Sequence, residues 1–259
     1  MLAAYAYLNA YFDKILVLSL RRATERHEAL QKNLKGLNYE IYWGVDKRDF
    51  TLEEVIEKGI YDKEKANHYN RHGARVLSAG EVACSWSHRN IYELILQKGW
   101  QRVLILEDDV VPNLEALPLL PHTFDQLPPD WDLVYLGYLS NEEVLLKHHF
   151  KRFFYKILAY FGAYQWLTPR EVENLYPKPY SKNLRRAGLH DCTHAYAITH
   201  TAASQLLKAQ TPIYSSADEL LTHGVLKNEL KGFICKPAFF DQEDFVRGHQ
   251  NLDSYVSAD

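Results

Sequence analysis

Short apolar runs alternate along the chain with longer segments in which apolar residues recur at helical spacing. The runs have the length and composition of strands that are buried on both faces of a sheet. They lie at residues 14–20, 39–45, 103–106, 131–139, 194–199 and 231–237. Because these runs alternate with helical segments, we predict an α/β fold, a Rossmann-like and mostly parallel sheet flanked by helices.

Two of the predicted helices carry their own end signals. Thr51 and Glu54 form a capping-box pattern, so a short helix is expected to begin there and to end near Gly59. Residues 78–99 carry an apolar stripe at helical spacing and finish in a glycine, which predicts a long amphipathic helix that leads into the strand at 103–106.

Other segments give weaker signals. Residues 60–78 are polar and poorly periodic, and we interpret them as a loop near the site. Asn113 is expected to begin a leucine-rich helix. Residues 1–12 are apolar but lack the basic start and the cleavage site of a signal peptide, and the tail that follows residue 237 cannot be placed.

Composition narrows the class of protein. The chain has 259 residues, 47% of them hydrophobic and 24% charged, as in ordinary globular proteins, and its net charge of −3 gives no reason to expect nucleic acid as a partner. Its three cysteines are widely separated, which argues against a zinc site or a disulfide framework and favours a reducing compartment. No apolar run reaches membrane-spanning length, so we expect one soluble or peripheral domain over residues 1–259.

The strand at 103–106 is followed at once by three acids, Glu107, Asp108 and Asp109. Ligands collect outside the carboxyl ends of strands in α/β sheets, and alternation along the backbone lets Glu107 and Asp109 point one way and Asp108 the other. Paired carboxylates offer oxygen ligands to Mg²⁺ or Mn²⁺, which could then hold a diphosphate. The alternative is a solvated acidic turn that simply ends the strand.

Further polar groups stand at predicted element ends. Ser19, Arg21 and Arg26 cluster where the first strand meets the next helix, a place suited to phosphate, although arginines there also fit a solvated helix face. Glu81 and His88 lie on the helix that precedes the acidic strand. A single helical histidine is equally compatible with a structural role.

Basic and aromatic residues are concentrated in residues 144–190. This excursion from the core holds nine lysines and arginines against two acids, together with ten aromatic residues. Such a mixture suits an anionic membrane surface or a lipid-linked acceptor. A helical segment that packs its aromatic rings against the sheet explains the pattern equally well. We see no signature of a nucleic-acid-binding module.

Several enzyme classes are disfavoured by missing motifs. The chain contains neither GxxxxGK[ST] nor GxGxxG, which P-loop kinases and dinucleotide-dependent oxidoreductases require. A metal-dependent phosphohydrolase remains an alternative, although the acids are not arranged as DxDxT. A protein that binds a nucleotide or a lipid-linked sugar without turnover is the other alternative.

Several motifs occur together in one order, among them SLRRATER, GEVACSWSHR, LILEDDV and THAYAIT. With them, most of residues 13–237 resembles glycosyltransferase family 25, the lipooligosaccharide-type sugar transferases of Gram-negative bacteria, which are related to the collagen galactosyltransferases. The resemblance implies a GT-A fold and metal-dependent transfer of a hexose, most favourably galactose, from a UDP-sugar with inversion. Its implied acceptor is a lipooligosaccharide or lipopolysaccharide, handled in the cytoplasm or at the inner face of the inner membrane.

The resemblance also implies roles for the acids. Asp109 would ligate Mn²⁺ or Mg²⁺ in a DxD-type element, with Glu107 as a second ligand, and Glu107 or Asp108 would contact the ribose or the water shell of the metal. The other residues expected to bind the donor are Ser19, Arg21, Arg26, Glu81 and His88.

By the same resemblance, residues 13–140 form the nucleotide-sugar-binding half, residues 141–190 the excursion, and residues 191–259 the acceptor-side half and the tail. Inversion in one displacement needs a carboxylate base. Asp218, in SSADELL, is the first candidate for this base, with Asp191 and Asp241 in reserve.

Overall fold

The computed structural model describes residues 1–69, 76–139, 141–164 and 166–243. The helices of this part of the chain are α1 Leu2–Tyr11, α2 Thr24–Asn33, α3 Leu52–Glu57, α4 Lys63–Tyr69, α5 Ala79–Lys98, α6 Leu120–Phe124, α7 Leu146–Tyr160, α8 His200–Ala209 and α9 Ala217–Leu226. The strands are β1 Lys14–Ser19, β2 Glu40–Trp43, β3 Arg102–Glu107, β4 Val110–Pro112, β5 Leu133–Leu139, β6 Lys178–Pro179, β7 Leu184–Arg186, β8 Asp191–Thr199, β9 Gly232–Cys235 and β10 Phe240–Gln242. Single turns of 3₁₀ helix lie at Lys47–Asp49, Leu117–Leu119 and Glu171–Asn174.

Eight strands form one mixed sheet in the order β2-β1-β3-β8-β5-β9-β7-β6. Strand β1 pairs in parallel with β2 and β3, and β5 pairs in parallel with β9, whereas β8 runs antiparallel between β3 and β5. Strands β4 and β10 form a separate antiparallel pair. Most strands of the large sheet therefore point the same way, which confirms the predicted α/β class.

Helices cover both faces of the sheet because alternate side chains of each strand point to opposite sides. On one face, Val17 and Leu104 pack with residues of α1, α2 and α6. On the other face, Leu16 and Ile105 pack with residues of α5, α8 and α9. The strands are thus buried on both sides, which explains their nearly continuous apolar sequence.

The predicted helix ends are confirmed. Thr51 and Glu54 form a capping box at the start of α3, and Gly59 follows that helix with φ +66°. Helix α5 is capped at its start by Ser78 and ends at Gly99 with φ +68°, a left-handed conformation that glycine adopts without strain.

Three local predictions need correction or completion. The expected loop at 60–78 contains α4, whose single buried residue, Ala66, leaves too little apolar periodicity to reveal a helix; residues 70–75 lie outside the described part of the chain. The helix expected from Asn113 begins later than predicted: the Asn113 side chain caps a turn, accepting a hydrogen bond from the Ala116 amide at 3.2 Å, and the 3₁₀ turn Leu117–Leu119 and α6 follow. Residues 1–12 contain α1, and the start of the tail contains β10.

No helix within the described ranges is both long and apolar enough to cross a bilayer.

Candidate active site

A cleft opens at the carboxyl ends of β1 and β3, beside the start of α5. It has a volume of about 540 Å³, its open mouth included. Its walls combine apolar side chains with charged and hydroxyl groups from Leu18, Ser19, Leu20, Arg26, Val45, Lys47, Gly80, Ala83, Cys84, Ser87, Glu107 and Asp108. Two neighbouring parallel strands end here, so acids at the end of β3 and polar residues at the end of β1 and after it line the same cleft.

Asp108 forms the floor of this cleft and is held on both oxygens. The Ser19 hydroxyl donates to Oδ2 at 2.6 Å, and Nη1 of Arg26 donates to Oδ1 at 2.5 Å. The side chain of Asp108 is 7% exposed, and that of Arg26 is 19% exposed. These two contacts fix the guanidinium of Arg26 at the cleft.

Asp109 lies next to this pair but is much less well satisfied. Its Oδ1 is buried and accepts no hydrogen bond from the described residues, whereas Oδ2 accepts one from the Gln242 amide at 3.3 Å and lies 3.7 Å from Nη1 of Arg26. Burial raises the pKa of Asp109 to about 7, and the charge of Glu107 adds to this rise against the opposing charge of Arg26. The site therefore contains a buried carboxylate oxygen that a cation would satisfy.

Glu107, the last residue of β3, faces α5. Its Oε1 accepts a hydrogen bond from the Thr193 hydroxyl at 2.5 Å and lies 3.6 Å from Nε2 of His88. Burial alone would raise the pKa of Glu107, but His88 and Thr193 outweigh it, so the pKa is lowered overall. Glu107 therefore remains ionised beside Asp109.

The histidine of α5 is fully enclosed. His88 is 1% exposed, its Nδ1 lies 2.7 Å from the Tyr196 hydroxyl, and its Nε2 is buried without a hydrogen-bond partner among the described residues. Tyr92 lies 3.1 Å from the same hydroxyl. His88 thus reaches the site through Glu107, and it does not line the cleft directly.

Two other predicted donor residues, Glu81 and Arg21, do not line the cleft. The Glu81 carboxylate accepts hydrogen bonds from the Ser78 amide and hydroxyl, at 2.8 and 2.9 Å, and so caps α5. The Arg21 guanidinium lies over the Trp43 ring, 4.8 Å from its centroid, outside the set of residues that line the cleft. Lys47 lines the cleft instead.

Asp218 lies in the first turn of α9. Its Oδ1 accepts hydrogen bonds from the Ser216 hydroxyl at 2.6 Å and from the Glu219 amide at 2.9 Å. Burial, followed by the charges of Glu107 and Asp218, raises the pKa of the Cys84 thiol well above its ordinary value. Asp218 and the β3 acids therefore act on one cleft residue.

The two reserve candidates for the base lie in different strands. Asp191 begins β8, and its charge is among those that, after burial, raise the pKa of the Cys192 thiol. Asp241 lies in β10 opposite Val111; burial raises its pKa, and the charge of His194 opposes this rise. The charges of Asp218 and Asp191 both act on the Cys192 thiol, whereas Asp241 lies on the β4–β10 pair.

The sequence analysis missed Thr193, Gln242 and Lys47. Thr193 precedes the apolar core of β8, and Gln242 lies in β10, which pairs with β4 next to the acids. Both contacts bridge residues more than 80 positions apart, so no local pattern could reveal them.

The fold and the cleft define an α/β protein with an acidic cluster at the carboxyl end of a central strand. The family model described as Glycosyltransferase family 25 (LPS biosynthesis protein) matches residues 12–221, and the chain belongs to this family. This confirms the resemblance drawn from the motifs.

The curated relatives match part of the chain. Procollagen galactosyltransferase 1 of Danio rerio is 30% identical over 131 residues, which are 49% of this chain and 21% of that relative. Inactive glycosyltransferase 25 family member 3 of Homo sapiens is 28% identical over 131 residues, 49% of this chain and 22% of the relative. The matched region thus spans about a fifth of the length of these relatives.

Among solved structures, mouse xyloside xylosyltransferase 1 in its apo form aligns with a TM-score of 0.40 and 13% identity, over 89% of this chain and 78% of that one. A likeness at this level does not bear on function.

Proposed function

We propose that the chain is a metal-dependent, inverting glycosyltransferase of GT-A type that moves a hexose, most favourably galactose, from a UDP-sugar to a saccharide acceptor. The observation that carries this proposal is the buried, unpartnered Oδ1 of Asp109 beside the Arg26–Asp108 pair at a strand-end cleft. Membership of family 25 and the galactosyltransferases among the relatives support the reaction class and the sugar.

The residues present fit a divalent cation. Mg²⁺ and related ions are commonly held by one or two carboxylates together with substrate phosphates, so a complete protein cage is not required. The described residues accordingly offer no cluster of three or more histidine, cysteine or acidic ligands, but Asp109 offers an unused oxygen and Glu107 a stable negative charge. A bound Mn²⁺ or Mg²⁺ would act as a Lewis acid on the departing diphosphate.

The remaining walls of the cleft fit the donor. Leu18, Val45 and Ala83 supply apolar surface for the nucleobase of the donor, and Arg26 and Lys47 supply positive charge for its phosphates. Asp108, which accepts a hydrogen bond from Ser19, holds Arg26 in place. Glu81, His88 and Arg21 remain proposed donor residues, although they do not line the cleft.

Asp218 is the proposed base. Its two hydrogen bonds within the described chain both end on Oδ1, so Oδ2 is the oxygen that would take the proton from the acceptor hydroxyl as the sugar is transferred. Asp191 and Asp241 remain the reserve candidates. The base must face the anomeric carbon from the side opposite the diphosphate, and Asp218 lies in the first turn of α9.

The proposed acceptor is a lipooligosaccharide or lipopolysaccharide core, and the proposed location is the cytoplasm or the inner face of the inner membrane. The family description, which refers to lipopolysaccharide biosynthesis, supports this acceptor class. A second candidate function is binding of a sugar nucleotide without turnover, since relatives described as inactive match the chain over the same share of its length.

The proposal is tested by incubating the protein with UDP-galactose, UDP-glucose and UDP-N-acetylhexosamine in the presence of Mn²⁺ and measuring the UDP released. We expect slow release from one donor, which EDTA abolishes and Asp109→Asn removes. Asp125→Asn, a change of an exposed aspartate, is the matched control. Tight donor binding without release would favour the non-catalytic alternative, and release of free phosphate without nucleotide dependence would favour a phosphohydrolase.

A further inference from the structure

Helix α7 exposes a continuous apolar face. Eight large apolar side chains of α7 and the residue that follows it are between 40 and 78% exposed: Leu146, Phe150, Phe153, Phe154, Ile157, Leu158, Tyr160 and Phe161. Their spacing puts them on one side of the helix, since residues three, four, seven and eight positions apart share a face. A patch of this size on a soluble domain indicates a surface that is covered in use.

The opposite side of α7 is anchored to the protein. Ala159 is buried in a cluster with Leu167 and Leu226, and Tyr155 packs against that cluster. The His148 ring stacks on the Tyr176 ring with 4.6 Å between centroids. The helix is therefore fixed through its narrow inner face, and no described part of the chain covers its broad outer face.

Positive charge borders the apolar face. The helix carries Lys147, Lys151, Arg152 and Lys156 and contains no acidic residue, although the whole chain has a net charge of −3. At 100° per residue, Lys147 and Lys151 lie along one edge of the apolar face and Lys156 lies near the other. Lys156 also pairs with Glu173 at 2.5 Å, whereas Lys147 and Lys151 are both exposed.

We propose that α7 docks on the surface of an anionic lipid bilayer, parallel to the membrane plane, with its aromatic side chains in the interfacial region. Helices with an apolar face bordered by lysines bind such surfaces through buried apolar area and attraction to acidic headgroups. A helix of 15 residues is about 22 Å long, too short for the roughly 30 Å hydrocarbon core, so α7 lies on the membrane and does not cross it.

Charge argues for lipid and against a second copy of the chain. A two-fold contact between two α7 helices would place the cations of one helix near those of the other, with no acidic residue in either helix to compensate. An anionic headgroup layer compensates the same cations directly. The membrane is therefore the partner whose chemistry matches both properties of the face.

The docking surface shares a buried apolar cluster with the element that carries the proposed base. The cluster beneath α7 includes Leu226 of α9, and the Trp166 ring stacks on His223 of α9. Asp218 lies in the first turn of that helix, whose 10 residues span about 15 Å. A docked α7 would hold the cleft at a fixed height above the bilayer, where the sugar of a lipid-anchored acceptor is presented; this consequence rests on the proposed function, whereas the docking itself does not.

Co-sedimentation with vesicles tests the proposal. We expect the wild type to pellet with vesicles that contain phosphatidylglycerol and to remain in solution with phosphatidylcholine alone. Lys147→Gln with Lys151→Gln should weaken binding roughly 25-fold, about fivefold for each charge removed. Phe150→Ser with Phe154→Ser should weaken vesicle binding at least about tenfold, because it removes apolar surface that the bilayer would bury.

Matched controls separate this face from the rest of the surface. Lys32→Gln with Lys35→Gln removes two exposed charges from the end of α2, and Leu114→Ser with Leu119→Ser removes two exposed apolar side chains elsewhere. Both control proteins should bind the vesicles like the wild type. Equal losses in the controls and the α7 variants would overturn the proposal.

Two further outcomes would also overturn it: absence of binding to anionic vesicles, and a concentration-dependent dimer that the phenylalanine changes abolish. Circular dichroism of each variant verifies that the fold is kept. UDP binding, measured separately in the absence of lipid, shows whether the proposed function has failed, so the two failures are distinguishable.

Discussion

The acidic cleft at the end of β3 and the outer face of α7 are opposite in nearly every property. In the cleft, the Asp108 carboxylate is buried, and its two oxygens are matched to a hydroxyl and a guanidinium. On α7, large apolar groups are exposed to water. In each region one kind of group lies in an environment that does not suit it: Oδ1 of Asp109 lacks a partner, and the rings of α7 lack cover.

The comparison teaches that such a misplaced group specifies the chemistry of the missing partner. A buried carboxylate oxygen is satisfied by a cation, and an exposed apolar face with basic edges is satisfied by an anionic interface. Neither arrangement favours the stability of the chain alone, as is common at functional sites. The four predictions that follow probe this contrast, from the largest expected effect to the smallest.

Asp218→Asn should give the largest effect. If Asp218 takes the proton from the acceptor, kcat should fall by about 10²- to 10⁴-fold while the affinity for UDP in Mn²⁺ stays unchanged. Steady-state transfer assays and calorimetry measure the two quantities. Asp191→Asn and Asp241→Asn are the comparison variants, and a larger loss of kcat in either would reassign the base.

Asp108→Asn should destabilise the protein by about 2–3 kcal/mol, because it replaces the charged acceptor that the partly buried Arg26 guanidinium contacts at 2.5 Å with a neutral amide. Urea denaturation followed by fluorescence measures the change. Asp125→Asn, on the exposed surface, should change stability by less than about 0.5 kcal/mol. Equal stability of the two variants would show that the contact between Asp108 and Arg26 does not stabilise the fold.

Asp109→Asn should stabilise the metal-free protein above pH 7, the opposite sign to Asp108→Asn. The pKa of Asp109 rises from 3.8 to about 7 on folding, so the folded state favours the protonated carboxyl, and stability falls as pH increases through this range. The gain from asparagine should therefore be near zero at pH 4 and reach about 1–2 kcal/mol at pH 8. Thermal unfolding in EDTA should show it as a rise of roughly 2–8 °C in Tm. A lower Tm at pH 8 would contradict the assignment of an uncompensated carboxylate.

Phe150→Ser with Phe154→Ser should give the smallest effect in solution. Both rings are more than 60% exposed, so stability should change by less than about 0.5 kcal/mol and UDP affinity by less than about twofold. Urea denaturation and calorimetry measure these quantities. A large loss of either would show that α7 supports the cleft, and the contrast between the two regions would no longer hold.

Local sequence patterns were sufficient for much of the fold and for part of the site. The apolar run before Glu107 and the capping signals at Thr51 and Gly99 are local features, and each appears in the structure as predicted. The basic and aromatic character of residues 144–190 was also visible in the sequence, and α7 contains part of it.

The remaining features of the fold and the site depend on pairing between strands that are far apart in the sequence. Strand β8 runs antiparallel in the middle of the sheet, and β10 returns beside β4, so that Gln242 reaches Asp109. Strand direction and return position depend on tertiary packing and leave no local signal. For the same reason the sequence could not show that Asp108 is satisfied on both oxygens while its neighbour is not.

The central claim is that Asp109 holds a cation that binds the diphosphate of the donor. Its most direct test is calorimetric titration of UDP, with and without Mn²⁺, into the wild type, Asp109→Asn and the control Asp125→Asn. The account predicts metal-dependent binding to the wild type and to the control, and loss of that dependence in Asp109→Asn. UDP binding that is equal with and without Mn²⁺, or absent under both conditions, would contradict it.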